Sequence, residues 1–216
     1  LRLRIDPAAL ADNWQALDRL SGSAAAGAAV KADGYGLGVA QVLPALLDAG
    51  ARTFFVAHWS EVGELLGYVA PGQVSVLHGP LTPEDAAFAK ATGVRPVINS
   101  LRQAMLWLDA GGGACDLMVD TGINRLGLPT SQIGDPLVAR LEVSTLMSHL
   151  ASADEDNALN AAQLARLREV CAAIPAKRHS LANSAGIALG PGYAFDLTRP
   201  GLSLYGGIPR SELAEV

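Results

Sequence analysis

Cysteine and aromatic residues are scarce in this chain. Its 216 residues include 2 cysteines, Cys115 and Cys171, and aromatic residues make up 5% of the sequence. Both cysteines lie in apolar stretches without a CxxC pattern, so we expect buried thiols in a reducing compartment. The sequence therefore predicts a cytoplasmic protein, and no metal site is expected in it.

Positive charge and long apolar runs are also in short supply. The chain has 16 Lys and Arg against 21 Asp and Glu, a formal net charge of −5, and its basic residues are not clustered. This balance argues against binding to the phosphate backbone of nucleic acid. No apolar run is long enough for a membrane span, and residues 1–6 alternate like a β-strand rather than forming a signal-peptide core. Neither nucleic acid nor a membrane is an expected partner.

Apolar side chains are abundant, at 50% of all residues, which is enough for one large core. Short β-type runs alternate with helical patterns along the sequence. Strands are predicted at 28–32, 53–57, 74–78, 95–98, 116–120, 143–148, 179–182 and 201–205. Helices are predicted over 39–49, from Ser60, from a cap at Thr82, from a cap at Asn99 or Ser100 to Asp109, and over 157–173.

About eight strands in strict alternation with helices predict an α/β fold of the (β/α)8 barrel type over residues 1–216. A doubly wound open sheet is the structural alternative. Its usual sign, a GxGxxG that opens a helix in the first unit, is missing.

Lys31 stands at the end of an apolar strand and is followed at once by a glycine-rich turn. In α/β folds, this end of a strand is where ligands bind. An ammonium group that loses hydration there can have its pKa lowered, which lets the amine attack a carbonyl carbon. The alternative is a lysine whose stem lies on apolar surface while its charged end reaches water.

Other polar residues follow the predicted strands in the same way. They are Tyr35 after the first strand, Asp120, Asn124 and Arg125 after the fifth, His149 after the sixth, Asn183 and Ser184 after the seventh, Arg199 and Gly201 just before or within the eighth, and Tyr205 at its end. Each has a structural explanation by itself, as a core histidine, a surface ion-pair member, a helix cap or a turn residue. Polar groups at the same end of successive strands together predict one site.

The composition of this set suggests a ligand that is both an aldehyde and a phosphate. Ser184 opens a short helix, and Gly201, Gly206 and Gly207 let the backbone approach a ligand in the eighth unit, where barrels often bind phosphate. A lysine for the aldehyde, a flat histidine for a ring and an arginine for a ring nitrogen complete a site for pyridoxal 5′-phosphate.

Five segments resemble bacterial alanine racemases in order and spacing. They are residues 30–36 (VKADGYG), 119–127 (VDTGINRLG), 147–150 (MSHL), 181–184 (LANS) and 199–206 (RPGLSLYG). The resemblance implies the N-terminal, pyridoxal phosphate-binding barrel of an isomerase that racemises L- and D-alanine and supplies D-alanine for peptidoglycan. A homodimer is implied for the full-length parent.

The same resemblance implies a role for each site residue. Lys31 would carry the cofactor as an internal aldimine and act as one of two acid/base groups. Arg125 would contact the cofactor's phenolic oxygen and the substrate carboxylate. His149 would stack on the pyridine ring and connect to Arg199, which would face the ring nitrogen. The phosphate would be bound by Tyr35, Ser184, Gly201, Leu202 and Tyr205, with Asn183 as a further cofactor-binding residue.

An arginine on the ring nitrogen favours racemisation over transamination. A guanidinium does not give up its proton, so the ring nitrogen stays unprotonated and withdraws fewer electrons. A proton then returns to the substrate's α-carbon rather than adding to the cofactor. Racemisation also needs a second proton carrier on the opposite face.

Two departures from the family pattern stand out. Alanine racemases continue into a β-rich C-terminal domain that supplies a tyrosine base across the dimer, and neither Tyr68 nor Tyr193 matches that motif. We therefore expect a truncated form of a longer enzyme, with impaired racemisation. Met118 also stands where many relatives carry a carboxylated lysine that orients the residue corresponding to Arg125, so Arg125 is expected to be looser or held in another way.

Two other functions remain open on the sequence alone. A single-domain pyridoxal phosphate carrier without racemase activity would also be a barrel with a lysine after its first strand. It would lack a carboxylate-binding group such as Arg125. A barrel with a decayed site, used for binding or assembly, would have lost the lysine or the phosphate ligands, and these are present.

Overall fold

The computed structural model describes residues 3–216, which form a barrel of parallel strands surrounded by helices. The barrel strands are β1 (Ala25–Ala26 and Ala28–Ala29, interrupted at Gly27), β2 (Phe54–Val56), β3 (Val74–Val76), β4 (Arg95–Ile98), β5 (Ala114–Asp120), β6 (Glu142–Met147), β7 (Arg178–Ser180) and β8 (Leu197–Thr198). A two-residue segment, Leu128–Pro129, pairs with β5 outside this order.

The helical segments lie between the strands. They are α1 (Pro7–Leu20), α2 (Lys31–Tyr35), α3 (Val39–Ala49), α4 (Val62–Leu65), α5 (Pro83–Thr92), α6 (Leu101–Asp109), α7 (Pro136–Ala139), α8 (Ala158–Ala173) and α9 (Ser184–Ala188). Short 3-10 turns occupy Trp59–Glu61, Pro71–Gln73, Thr130–Gln132, Pro191–Tyr193, Leu202–Tyr205 and Ser211–Leu213. No helix within residues 3–216 is long and apolar enough to cross a membrane.

The strands close into a barrel. Strands β1 to β7 pair in parallel in sequence order, and β8 pairs in parallel with the first segment of β1, with Ala25 opposite Leu197. On its other side, β8 reaches β7 through hydrogen bonds from Asp196 N to His179 O (3.1 Å) and from Arg199 N to Ala182 O (2.8 Å). The predicted (β/α)8 class is confirmed, and all strands end at one rim.

Helix caps fix most of the predicted helices. The helix predicted over 39–49 is α3, and the one predicted to end at Asp109 is α6, whose Ser100 Oγ accepts from Gln103 N at 3.2 Å. Thr82 caps α5 and Asn157 caps α8 in the same way. Each cap satisfies a backbone N–H that a helix start leaves without an intrahelical partner.

The N-terminal prediction was wrong. Residues 3–6 have no regular secondary structure, and residues 1–2 of the predicted strand lie outside the described residues. The helix α1 follows, capped by Asp6, whose Oδ1 accepts from the N–H groups of Ala8 and Ala9. It buries Leu10 and Trp14 in the core around the first strands.

The eighth strand also differs from its prediction. Residues 202–205 form a 3-10 turn, and the strand lies earlier, at Leu197–Thr198. Pro200 has no N–H for a strand ladder, and Gly201 has φ −137° and ψ −78°, outside the strand region. Arg199 and Gly201 therefore follow the strand rather than preceding it, which places them at the same rim as Lys31.

Both cysteines are free. Cys115 is buried and Cys171 is partly buried, and burial raises the pKa of each thiol. Such thiols are protonated at neutral pH and unreactive.

Candidate active site

A cavity of about 370 Å³ lies at the rim where the strands end. Nine of the residues predicted for the site line it, namely Lys31, Tyr35, Arg125, His149, Asn183, Ser184, Arg199, Gly201 and Leu202. Its apolar wall includes Phe55, Leu77 and Met118. A cavity of this size, apolar with a few convergent polar groups, is typical of a site for a small molecule or cofactor.

Lys31 is followed by a turn in the left-handed backbone conformation. The φ angles of Ala32, Asp33, Gly34 and Tyr35 lie between 52° and 61°, in the left-handed region that residues other than glycine rarely adopt. Asp33 stabilises the turn, because its Oδ1 accepts the N–H of Val39 at 2.7 Å. The turn directs both Lys31 and Tyr35 to the cavity.

The surroundings of Lys31 favour its neutral amine. Burial is the largest cause, the positive charge of Arg125 is the next, and together they lower the pKa of Lys31 despite the opposing charge of Glu61. Its Nζ lies 5.8 Å from the centroid of the Tyr35 ring. A lysine with a lowered pKa is a better nucleophile towards a carbonyl carbon than a solvated one.

Two tyrosines stack beside the lysine. The rings of Tyr35 and Tyr205 have centroids 4.6 Å apart and planes at 28°. The hydroxyl of Tyr205 donates to Ala29 O at 3.0 Å, and burial raises the pKa of both phenols. Three of the residues predicted for the site, Asp120, Asn124 and Tyr205, do not line the cavity, and Tyr205 contacts the site through Tyr35.

His149 and Arg199 lie side by side, with Arg199 buried and His149 partly buried. Arg199 is 6% exposed, and its guanidinium donates to Ser148 O and to Ser180 Oγ. Its Nη2 lies 3.5 Å from His149 Nδ1. Within residues 3–216, no carboxylate forms an ion pair with Arg199. The acceptors that hold this cation are therefore neutral groups.

The protonation states of this pair follow from burial. Burial, reinforced by the charges of Arg199, Arg125 and Lys31, lowers the pKa of His149 to about 3, so its imidazole is neutral at neutral pH. Burial lowers the pKa of Arg199 to about 10 while Asp116 opposes the shift, so Arg199 remains cationic. A neutral Nδ1 can accept a hydrogen bond from the guanidinium.

The backbone after β8 meets the start of α9. Ser184 Oγ accepts the N–H groups of Gly201 (3.0 Å) and Ser203 (3.2 Å). Asn183 instead caps α9, since its Oδ1 accepts from Gly186 N at 2.8 Å. The capping explanation therefore accounts for the side chain of Asn183, whereas Ser184 forms a cluster of hydroxyl and amide groups with the backbone beyond β8.

Arg125 lies on the loop that follows β5. Asp120 shapes this loop by accepting the N–H groups of Gly122, Ile123 and Asn124 with one oxygen, an Asx-type turn. Arg125 is exposed, and no side-chain hydrogen bond or ion pair holds it within residues 3–216. The nearby wall residue Met118 is apolar and 4% exposed, so it offers no polar anchor.

Sequence reasoning missed the residues that hold the site from outside. Ser148 and Ser180 bind Arg199, and Glu61 binds the backbone next to Lys31. Glu61 follows the end of β2 as closely as Arg125 follows the end of β5, so the search for polar residues just after strand ends could have found it. The two serines carry no such signal, because one acts through its carbonyl and the other lies within β7.

Comparisons with known proteins point to one family. Residues 5–209 match the family model described as "Alanine racemase, N-terminal domain". The alanine racemase of Rhizobium meliloti (strain 1021) is 45% identical over 216 residues, covering 95% of this chain and 57% of that protein. The biosynthetic alanine racemase of Agrobacterium fabrum is 42% identical, covering 99% of this chain and 57% of that protein.

Solved structures give the same picture. Alanine racemase from Bartonella henselae, with covalently bound pyridoxal phosphate, has a TM-score of 0.85 and 35% identity, covering 95% of this chain and 63% of that one. The biosynthetic enzyme from Pseudomonas aeruginosa has a TM-score of 0.86 and 31% identity, covering 96% and 60%. This chain thus spans less than two thirds of the length of these relatives.

Proposed function

Because the chain belongs to the alanine racemase family, we propose that it forms the cofactor-binding barrel of an enzyme that interconverts L- and D-alanine with pyridoxal 5′-phosphate. The observation that carries this proposal is the convergence of Lys31, His149 and Arg199 on one cavity. We also propose that the full enzyme is a homodimer, that it works in the cytoplasm, and that it supplies D-alanine for peptidoglycan.

The cavity fits this cofactor. A Cβ on Gly201 would lie 2.1 Å from Tyr35 Oη and 3.2 Å from Ala29 Cβ, so a glycine here leaves room for the Tyr35 hydroxyl to lie against the backbone at the cavity. Lys31, Arg125 and Arg199 bring three positive charges to the lining, against one carboxylate, Asp154. A phosphate dianion is the charge complement of such a lining.

Each part of the lining suits one part of the cofactor. Lys31 Nζ would bond its aldehyde carbon, and His149 and Arg199 would meet its ring face and ring nitrogen. Its phosphate would be held by Ser184, Tyr35, Tyr205 and the backbone of Gly201 and Leu202, with Asn183 at the start of α9. When bound, pyridoxal phosphate supplies the electron sink that makes the α-proton of an amino acid acidic.

Arg199 directs the outcome of that chemistry. With a pKa of about 10 it keeps its proton at neutral pH, so it offers a hydrogen bond without transferring a proton. This limits electron withdrawal by the ring and favours return of a proton to the substrate's α-carbon. Racemisation is favoured over transamination for that reason.

Lys31 is the proposed proton carrier on one face. Its lowered pKa makes the neutral, proton-accepting form of Nζ easier to reach, so Nζ would accept the α-proton and give it back. Arg125, exposed at the cavity and free of other partners in residues 3–216, would bind the substrate carboxylate.

Besides Lys31 and the two arginines, the titratable side chains that line the cavity within residues 3–216 are His149, Tyr35 and Asp154, so the lining offers no second lysine or tyrosinate as a base on the opposite face. His149 has a pKa of about 3, and the raised pKa of Tyr35 and Tyr205 keeps both phenols protonated. We therefore propose that this chain by itself racemises alanine slowly, and that a further part of the enzyme supplies the second proton carrier.

The test is cofactor capture followed by an alanine assay. The chain is mixed with pyridoxal phosphate, its absorbance is recorded before and after borohydride, and the attachment site is mapped by mass spectrometry. We expect a reducible bond at Lys31 that Lys31→Ala abolishes. No bond to Lys31 would overturn the cofactor assignment.

Conversion of L- to D-alanine then distinguishes a racemase from a carrier. The chain is compared with a chimaera that joins it to the C-terminal part of the Rhizobium meliloti relative. We expect at least a hundredfold more conversion in the chimaera. A chimaera that binds the cofactor covalently but stays inert would favour a cofactor carrier instead.

A further inference from the structure

Glu61 does not line the cavity, yet its carboxylate binds the segment that carries Lys31. Its Oε1 accepts the N–H of Ala32, the residue after the lysine. Its Oε2 accepts the N–H groups of Ala57 (2.6 Å) and His58 (2.9 Å), just beyond β2. One carboxylate therefore joins the chain that leaves β1 to the chain that leaves β2.

The turn after Lys31 needs such support. Three of its four left-handed residues are not glycine, and for each of them this conformation is less stable than the right-handed one. Asp33 holds the far end of the turn at Val39 N, and Glu61 holds the near end at Ala32 N. The other bonds at the near end are backbone ones, from Val30 N to Phe55 O and from Gly34 N to Val30 O (both 2.9 Å), so within residues 3–216 Glu61 is the one side chain that binds there.

The charge of Glu61 is part of its effect. Hydrogen bonds from N–H groups to a carboxylate are roughly twice as strong as neutral ones. None of the ion pairs within residues 3–216 includes Glu61, so its charge is compensated by three N–H groups and by the nearby ammonium of Lys31. Its negative charge also opposes the lowering of the Lys31 pKa.

We propose that Glu61 is a positioning residue for Lys31, which holds the left-handed turn in place and so fixes the lysine side chain in the cavity. This role rests on the proposed attachment of the cofactor to Lys31. Glu61 acts through the backbone of Ala32 and takes no part in proton transfer.

The test uses two substitutions of Glu61, one that removes its charge and one that keeps it. Glu61→Gln removes the charge and turns an acceptor into an NH₂ donor that faces backbone N–H groups. Glu61→Asp keeps the charge but is one methylene shorter, so it cannot reach both strands. Glu64→Gln, three residues later on α4 and exposed, is the control, because Glu64 makes no side-chain hydrogen bond within the described chain.

Three measurements separate positioning from charge. Amide hydrogen exchange by NMR reports on the N–H of Ala32, which we expect to exchange at least tenfold faster in both Glu61 variants. Competitive labelling with acetic anhydride, referenced to Lys90 and Lys177, gives the pKa of Lys31. We expect this pKa to fall in Glu61→Gln and to stay unchanged in Glu61→Asp. The dissociation constant for pyridoxal phosphate, read by absorbance, should rise at least tenfold in both.

The combined result is diagnostic, because a lower pKa alone would help Lys31 react with an aldehyde. Weaker cofactor binding despite a lower pKa therefore shows lost positioning, and Glu64→Gln should stay within twofold of the parent throughout. Cofactor binding within twofold of the parent in both Glu61 variants would overturn the proposal. If Glu61→Gln does not fold, Glu61→Asp decides by the same criteria.

Failure of the proposed function gives a different result. A parent chain that never bonds pyridoxal phosphate at Lys31 overturns the cofactor assignment. The exchange and labelling measurements need no cofactor, so unchanged exchange at Ala32 overturns the role of Glu61 independently.

Discussion

His149 is kept neutral by its surroundings. It is partly buried just beyond the end of β6, beside the cationic Arg199, and desolvation lowers its pKa from 6.5 to about 3. A charged imidazole there would add a cation to a site that already holds Arg125 and Lys31. The neutral state of His149 therefore avoids a further charge repulsion that would destabilise the folded state.

This shift predicts a pH dependence of stability. As pH falls below 6.5, the unfolded chain takes up a proton at His149, whereas the folded chain does so only near pH 3. The contribution of neutral His149 to the free energy of unfolding is fully present above pH 6.5. It is lost as pH falls towards 3, at up to about 1.4 kcal/mol per pH unit. Urea unfolding at pH 7, 6 and 5 measures it.

The variant His149→Gln isolates this contribution. Its free energy of unfolding should fall less steeply between pH 7 and 5 than that of the parent, whatever its stability at pH 7. The substitution Gln132→Ala, on the exposed surface, removes no titratable group and should keep the parent's slope. Parallel curves for the parent and His149→Gln would contradict the prediction.

Side chains that point from strand ends could be found from the sequence, and those that act through the backbone could not. Lys31, Arg125 and His149 were placed at one site because parallel strands end at one rim. Ser180 was missed because its role requires β7 and β8 to be adjacent, with its hydroxyl between Leu197 O and Arg199. Such a role becomes visible only once the barrel is closed.

The left-handed turn after Lys31 is a strained element in an otherwise regular barrel. Ala32 has φ 54° and ψ 48°, a conformation that costs alanine more than glycine. The strain is retained because the turn places Lys31 and Tyr35 together, and it is offset by the hydrogen bonds of Glu61 and Asp33.

Replacing Ala32 by glycine should therefore stabilise the folded chain. We expect Ala32→Gly to raise the free energy of unfolding by about 0.5–1 kcal/mol, because glycine adopts this φ without strain. Ala16→Gly, in the middle of the right-handed helix α1, should lower it by about 1 kcal/mol. Equilibrium unfolding in urea measures both, and a loss of stability in Ala32→Gly would show that the turn is not strained.

Elements with local end signals were predictable, and those set by neighbouring strands were not. The helix α6 was predicted from its cap at Ser100 and its end at Asp109, both of which are local. The strand β8 was misplaced because two residues of strand, Leu197–Thr198, carry no periodicity of their own. Its position is fixed by pairing with β1, which is remote in sequence.

The charge of the whole molecule contrasts with that of its cavity. The chain has a formal net charge of −5, yet Lys31, Arg125 and Arg199 line one cavity and form no ion pairs within residues 3–216. Bringing these cations together opposes folding through their mutual repulsion. An anion that binds among them should therefore stabilise the folded chain.

We expect phosphate to raise the midpoint of thermal unfolding more than chloride does at the same ionic strength. A ligand at 100 times its dissociation constant contributes about 2.7 kcal/mol. Pyridoxal phosphate should raise the midpoint at a lower concentration than inorganic phosphate, and pyridoxal without its phosphate should raise it less than either.

Since phosphate also stabilises proteins generally, the comparison with Ser184→Ala is decisive. That variant loses the hydroxyl beside Gly201 N and should lose most of the gain, whereas Ser211→Ala, at the exposed end of the chain, should keep it. An equal gain in all three proteins would show that phosphate acts on the surface at large and not in the cavity.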